Sequence, residues 1–137
     1  MNRLFFSIAL LAAVAACDRY PAFDAPLDPT GPHTLRAHLA WVVPGQGEAV
    51  FLQPATLALR RVPLAVTPEA THVAPRGQGL LVLDAEGATW IPVSDAGLGD
   101  VRRIALDGAY RRAAFAPQAN RVVLFGEAGG GRATLSN

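Results

Sequence analysis

The sequence predicts an all-β protein, and three observations lead to that prediction. From residue 33 onward, apolar residues do not recur at the spacing of three and four that marks a helical face. The apolar runs are short, and Gly, Pro, Asp and Asn bound them, as is typical of strands and turns. One segment that combines a strand end with a turn recurs three times along the chain. We therefore expect antiparallel strands joined by short turns.

Ten short segments have the composition of strands. In chain order they are residues 35–43, 48–53, 56–62, 72–74, 79–84, 89–93, 101–106, 111–116, 121–126 and 132–135. Turn-forming residues separate them at close intervals. One such turn is Asp84-Ala85-Glu86-Gly87, which we interpret as a hairpin turn whose glycine takes a positive φ.

The recurring segment has the same pattern each time. A short strand ends at a proline, three turn residues and one further residue follow, and four apolar residues come next. The prolines are Pro44, Pro75 and Pro117, which lie 31 and 42 residues apart. The second interval contains four predicted strands, which is the size of a four-stranded propeller blade.

The third segment, AAFAPQANRVVLFG, resembles the repeat core of TolB-type and WD-type β-propellers. In those repeats the proline and its turn join the innermost strand of a blade to the second strand. The resemblance covers residues 35–135, although Gln118 stands where Asp is usual and Ala119-Asn120 replaces an Asp-Gly type of turn. A sandwich or meander whose hairpins share this turn chemistry is the alternative.

The resemblance implies propeller-like blades that do not close into a ring. Propellers typically have about four or more blades, whereas this chain has room for about two and a half. We therefore expect a propeller that is truncated at its C-terminus, as a fragment of a longer gene product or a truncated reading frame would be.

The first seventeen residues, MNRLFFSIALLAAVAAC, have the parts of a secretory signal: a positive start, an apolar run of about ten residues and a small-residue end. The run is shorter than the roughly 20 residues that a membrane-spanning helix needs. Val14-Ala15-Ala16-Cys17 resembles the bacterial lipobox. That resemblance implies a diacylglycerol thioether on Cys17 and cleavage by signal peptidase II between Ala16 and Cys17. An ordinary signal peptide with an incidental cysteine is the alternative.

Three regions follow from these observations. Residues 1–16 are the predicted signal peptide, expected as a helix, and residues 17–34 are the lipidated cysteine with a proline-rich, extended spacer. Residues 35–137 hold the propeller-like repeats. We expect the protein in the bacterial cell envelope, held by its lipid and facing the periplasm. Asp18 directly follows the cysteine and resembles the signal that retains lipoproteins in the inner membrane of enteric bacteria, so we favour the inner over the outer membrane.

Charge and residue types exclude several functions. Loss of Arg3 with the signal peptide would leave eleven basic and eleven acidic residues, and this neutral balance argues against a nucleic-acid partner. No catalytic, cofactor-binding or metal-binding residue is predicted. His33, His38 and His72 fall in different predicted elements or faces, whereas zinc needs three or four converging ligands. No serine has the G-x-S-x-G context of a hydrolase nucleophile.

These predictions favour a membrane-anchored envelope lipoprotein that acts as an interaction or scaffold module for other envelope proteins. The alternative is a fragment of a propeller enzyme or small-ligand-binding protein whose site lies in missing blades. Trp41 and Trp90 are expected in the core between blades rather than on a ligand-stacking surface. The sequence leaves the oligomeric state open.

Overall fold

The computed structural model describes residues 28–118, 120–126 and 129–135, the stretch 129–134 by its backbone alone. The predicted fold class is confirmed, because the described chain is all-β and its antiparallel sheets do not close into a ring. The predicted signal peptide and the spacer up to residue 27 lie outside the described residues. The described strands are β1 Thr30–Leu35, β2 His38–Val43, β3 Glu48–Gln53, β4 Ala58–Pro63, β5 Pro68–Val73, β6 Gly79–Asp84, β7 Gly87–Ser94, β8 Gly97–Leu98, β9 Arg102–Ala105, β10 Tyr110–Phe115, β11 Arg121–Gly126 and β12 Gly129–Thr134.

The strands form three sheets that follow one another along the chain. The first sheet has the order β1-β2-β3-β4 and the third has the order β10-β11-β12. In the second sheet the order is β5-β6-β7, and both β8 and β9 pair with β7. The sheets begin at Thr30, Pro68 and Tyr110, and this spacing of about 40 residues matches the period of a four-stranded propeller blade. The described residues contain no helix that is long and apolar enough to cross a lipid bilayer.

The second sheet lies between the other two, with apolar contacts on both of its faces. All six residues of β6, GLLVLD, are buried. Leu80 and Val82 belong to a core cluster shared with the first sheet, whereas Leu81 and Leu83 belong to a cluster shared with the third sheet. Because successive strand residues point to opposite faces, a strand buried on both faces is a continuous apolar run rather than an alternating one.

Each interface between sheets has its own core. The first interface is formed by Leu35, Ala40, Val42, Ala49, Phe51 and Val62 from the first sheet against Leu80, Val82, Ile91 and Val93 from the second. The second interface is formed by Ala74, Leu81, Leu83, Ala88 and Trp90 against Tyr110, Val122, Leu124 and Leu135. The first strands of consecutive sheets also touch, because β5 contacts both β1 and β10. This is the arrangement expected of the innermost strands of propeller-like blades.

The same backbone pairing closes each of the three proline turns. The residue before each proline pairs with the residue five positions later: Val43 lies opposite Glu48 in the β2–β3 ladder, the Ala74 N–H donates to the Gly79 carbonyl at 3.0 Å, and the Ala116 N–H donates to the Arg121 carbonyl at 2.9 Å. The location of the turns is less regular than expected. Pro75 and Pro117 join the first strand of a sheet to the second, as the propeller resemblance implies, but Pro44 joins the second strand to the third. The recurring segment is therefore not in equivalent positions in all three sheets.

The start of the first sheet also differs from the prediction. Residues 35–43 were predicted as one strand, but a turn at Arg36 and Ala37 divides this stretch between β1 and β2. Arg36 has a φ of 38°, which ends β1. β1 begins at Thr30 and includes Pro32, inside the segment predicted as spacer. A proline is tolerated there because β1 is an edge strand of its sheet, with one side free of ladder hydrogen bonds.

Gly87 has a different role from the one predicted. Asp84 to Gly87 do form the hairpin turn between β6 and β7, and Asp84 lies opposite Gly87 in the ladder. Gly87 is not among the glycines of positive φ. A Cβ at this position would instead collide with the Ile104 carbonyl oxygen on β9. Glycine is required because β9 approaches the backbone of β7 closely.

Candidate interaction surface

The residues predicted to carry the lipid anchor, Ala16, Cys17 and Asp18, lie outside the described residues. The described residues are the part of the chain that the predicted anchor would hold at the membrane.

The three histidines lie on three different strands. His33 is on β1 opposite Ala40, and His38 is on β2 opposite Leu35. His72 is on β5, where its Nε2 lies 3.0 Å from the Arg111 carbonyl oxygen on β10. When Nε2 carries the proton, this hydrogen bond links the first strands of the second and third sheets. Within the described parts of the chain, no three His, Cys, Asp or Glu side chains converge closely enough to hold a metal ion.

A shallow cleft of about 240 Å³ opens between the first and second sheets. Its walls are Thr30, His33, Val42, Pro44, Pro68, Glu69, Ala70 and Thr71. The His33 Nε2 is buried and has no hydrogen-bond partner among the described residues, and burial lowers the pKa of this imidazole. The cleft is smaller than the roughly 300–1,000 Å³ typical of ligand pockets. Glu69 on the opposite wall pairs with Arg111 on β10 at 3.8 Å.

The most buried carboxylate of the described chain holds two strands together. Asp84 ends β6 with 3% of its side chain exposed, and its two oxygens bind both terminal nitrogens of Arg103 on β9, one of them at 2.7 Å. The Glu86 N–H also donates to Asp84 at 2.9 Å. Burial alone would raise the pKa of Asp84, but the hydrogen bonds from Arg103 and Glu86 and the Arg103 charge together lower it. This pair supports the second sheet.

The two tryptophans have different environments. Trp90 on β7 is fully buried between the second and third sheets, and its ring centroid lies 6.4 Å from that of Phe115. Its predicted place in the core is confirmed. Trp41 on β2 is only partly buried and belongs to neither core cluster. The prediction that Trp41 lies between two blades is wrong for the described chain, because β2 turns Ala40 and Val42, not Trp41, toward the second sheet.

The side of the first sheet that faces away from the second sheet carries large apolar side chains, and no described sheet packs against it. Residues that lie directly opposite in neighbouring strands share a face, and the ladders place Leu39, Leu52 and Leu59 in one row and Trp41 and Val50 in the next. We call these five residues the outer face of the first sheet. Leu59 is 64% exposed, and the other four are partly buried.

The third sheet has a comparable outer face, formed by Val123 and Phe125 on β11. They alternate with Val122 and Leu124, which pack against the second sheet. Phe125 is 47% exposed and lies opposite Arg112 on β10. A sequence pattern could not distinguish these faces from the covered ones, because both faces of each central strand are apolar.

The two outer faces are therefore the strongest candidate for a functional surface, since contiguous exposed apolar side chains mark interaction sites. No protein-family model matches the chain, and no curated protein matches it.

Proposed function

We propose that this chain is a lipid-anchored protein of the bacterial cell envelope, facing the periplasm, whose β-sheets form a protein-interaction or scaffold module. The observation that carries the interaction role is the pair of apolar outer faces on the first and third sheets, where Leu59 is 64% and Phe125 47% exposed. The lipobox-like sequence ending at Cys17 supports the anchor.

We further propose that the three sheets are blades of the TolB or WD type. Three features support this: sheets begin about every 40 residues, their first strands touch, and the same proline turn follows the first strand in the second and third sheets.

The apolar side chains of the outer faces favour association with a partner that covers them. Burial of a large apolar side chain contributes about 1.5–3 kcal/mol. Covering Leu59, Trp41 and Phe125 would thus contribute several kcal/mol to association. The anchor adds to this, because acyl chains contribute about 0.8 kcal/mol per buried methylene and keep the module at one membrane. Asp18 favours the inner membrane for that anchor.

The anchor is tested by metabolic labelling with palmitate in a bacterial host. We expect the wild-type chain to be labelled and processed, and Cys17→Ser to lose the label and accumulate as the uncleaved precursor. Ser7→Ala, a change inside the apolar run but outside the lipobox, is the matched control and should be labelled normally. Labelling that survives in Cys17→Ser would contradict the anchor.

The interaction role is tested in the same host with a photo-crosslinking amino acid. Placed at Leu59 it should give protein adducts in the envelope fraction, and placed at Val101, which is 42% exposed away from the outer faces, it should give few. Equal adducts from both positions, or none from Leu59, would contradict an interaction module.

A further inference from the structure

The two sheet interfaces inside the chain show which strand positions meet when one sheet packs on the next. From the second sheet, β6 turns Leu80 and Val82 toward the first sheet and turns Leu81 and Leu83 toward the third. Each sheet thus has one side that faces the preceding sheet and one that faces the following sheet.

The outer face of the third sheet corresponds in position to the side of the second sheet that packs against the next sheet along the chain. Leu81 and Leu83 stand six and eight residues after Pro75, and Val123 and Phe125 stand six and eight residues after Pro117. Leu81 and Leu83 are fully buried under a neighbouring sheet, whereas Phe125 is 47% exposed. The third sheet therefore carries apolar residues at the positions where the second sheet is covered.

The outer face of the first sheet corresponds in position to the side of the second sheet that packs against the sheet before it. In the second sheet that side is formed by the second and third strands, with Leu80, Val82, Ile91 and Val93. In the first sheet the second and third strands carry Leu39, Trp41, Val50 and Leu52 on the corresponding side. One chain thus presents both halves of the interface that it already uses twice internally.

A second copy of the chain can supply the missing half in each case. An interface between two different patches of identical chains forms a ring when the rotation between them closes. The three described sheets of each copy, taken twice, make a ring of six, which is within the range of about four to eight blades that propellers have. The anchor is compatible with this geometry. A two-fold rotation about the ring axis puts Thr30 of both copies on the same side of the ring, so both lipids can enter one bilayer.

We propose that two copies of this chain close into one six-sheet ring, in which the outer face of the third sheet of each copy packs on the outer face of the first sheet of the other. This inference deepens the proposed function and rests on it, because it names the partner of the outer faces as a second copy. The two contacts of the ring are equivalent, and each brings the region of Phe125 to the region of Trp41.

Cysteine crosslinking of the full, lipidated chain in detergent tests the proposal. Cys17 is the sole cysteine and is the proposed lipid site, so introduced cysteines are the only free thiols. Positions 41 and 125 lie on opposite sides of a three-sheet stack, and packed sheets are about 10 Å apart, so a short crosslinker cannot join them within one copy. We expect Trp41→Cys with Phe125→Cys to give a two-copy product with a bis-maleimide of about 10 Å reach. The matched control, Val101→Cys with Phe125→Cys, should give little.

The mass in solution supplies a second measurement that needs no crosslinker. Light scattering or sedimentation, corrected for detergent, should give two copies for the wild type. Phe125→Glu should weaken association by at least about 30-fold, the loss that corresponds to an interface hot spot. Its site is exposed in the single chain, so folding should persist by circular dichroism. A single-copy mass, an assembly larger than two, or equal crosslinking from Val101 would overturn the proposal.

These outcomes separate the inference from the proposed function. If the chain is a single copy but Leu59 still crosslinks to other envelope proteins, the ring is wrong and the interaction module stands. If Cys17→Ser retains its label, the anchor is wrong, and the mass of the chain still decides whether the ring forms.

Discussion

Asp84 shows how one residue connects strands that are distant in sequence. It belongs to the β6–β7 turn, yet its strongest partner is Arg103, nineteen residues later on β9. The Asp84 side chain is almost fully buried, whereas a third of the Arg103 side chain is exposed. A buried charge is tolerated because the Arg103 nitrogens and the Glu86 N–H satisfy its oxygens.

We expect Asp84→Asn to lower the free energy of unfolding at pH 7 by about 1–3 kcal/mol, the cost of leaving a hydrogen-bonded charge without its partner. Urea denaturation measures this change. Asp95→Asn is the matched control: Asp95 also pairs with an arginine, Arg36, but is 83% exposed, so its loss should cost at most about 1 kcal/mol.

The same contribution depends on pH in a defined direction. The pKa of Asp84 is lower in the folded chain than in the unfolded chain, so its stabilisation is fully present above the unfolded pKa of about 3.9. The stabilisation is lost as the pH falls through the folded pKa. The difference between wild type and Asp84→Asn should therefore shrink in acid, and a difference that stays constant down to pH 2 would contradict the charge pair.

At the scale of the element, β6 is the strand on which both cores depend. Adjacent residues Leu80 and Leu81 are fully buried in different clusters. In a sheet with one solvated face, one of the two would be exposed. Here a sheet covers each side, so both contribute to packing.

We expect Leu80→Ala and Leu81→Ala each to cost about 2–5 kcal/mol, the usual range for removing a buried leucine side chain. Val101→Ala, at a partly exposed position outside both cores, should change stability by no more than about 0.5 kcal/mol. The midpoint of urea denaturation measures this change, provided that the dependence of the unfolding free energy on urea concentration is the same in wild type and variant. A silent substitution at either leucine would mean that one face of the second sheet is not covered.

At the scale of the whole molecule, stability should follow the order of the sheets. The second sheet is covered on both faces, while the first and third sheets each have an outer face with no described sheet against it. Local opening is easiest where few buried apolar contacts must be broken. β4 illustrates this, because Val62 is its one buried residue.

Amide hydrogen exchange should therefore be slowest in β6 and β7 and faster in β4. The measurement is hydrogen exchange followed by mass spectrometry on the Phe125→Glu variant. Because this substitution should keep two copies apart, the exchange rates then describe the single chain. Protection in β4 equal to that in β6 would contradict the three-layer arrangement.

Local chemistry was largely predictable from the sequence. The turn residues and short apolar runs identified most strands of the second and third sheets, because turns and strand ends are set by neighbouring residues. β1 was not identified, since its glycine and two threonines do not form an apolar run, and only pairing with β2 makes it a strand. The burial of Trp90 was predicted, whereas that of Trp41 was overestimated.

The sequence by itself determined the all-β class, the turn chemistry and the cysteine motif on which the proposed anchor rests, because each depends on residues close together in the chain. Only the tertiary structure decided that Gly87 makes room for β9, that Asp84 pairs with Arg103 and that no described sheet covers the outer faces around Trp41 and Phe125. The physical reason is that strand alternation assigns a side chain to one of two faces. The order in which sheets pack then decides whether another sheet or solvent meets that face.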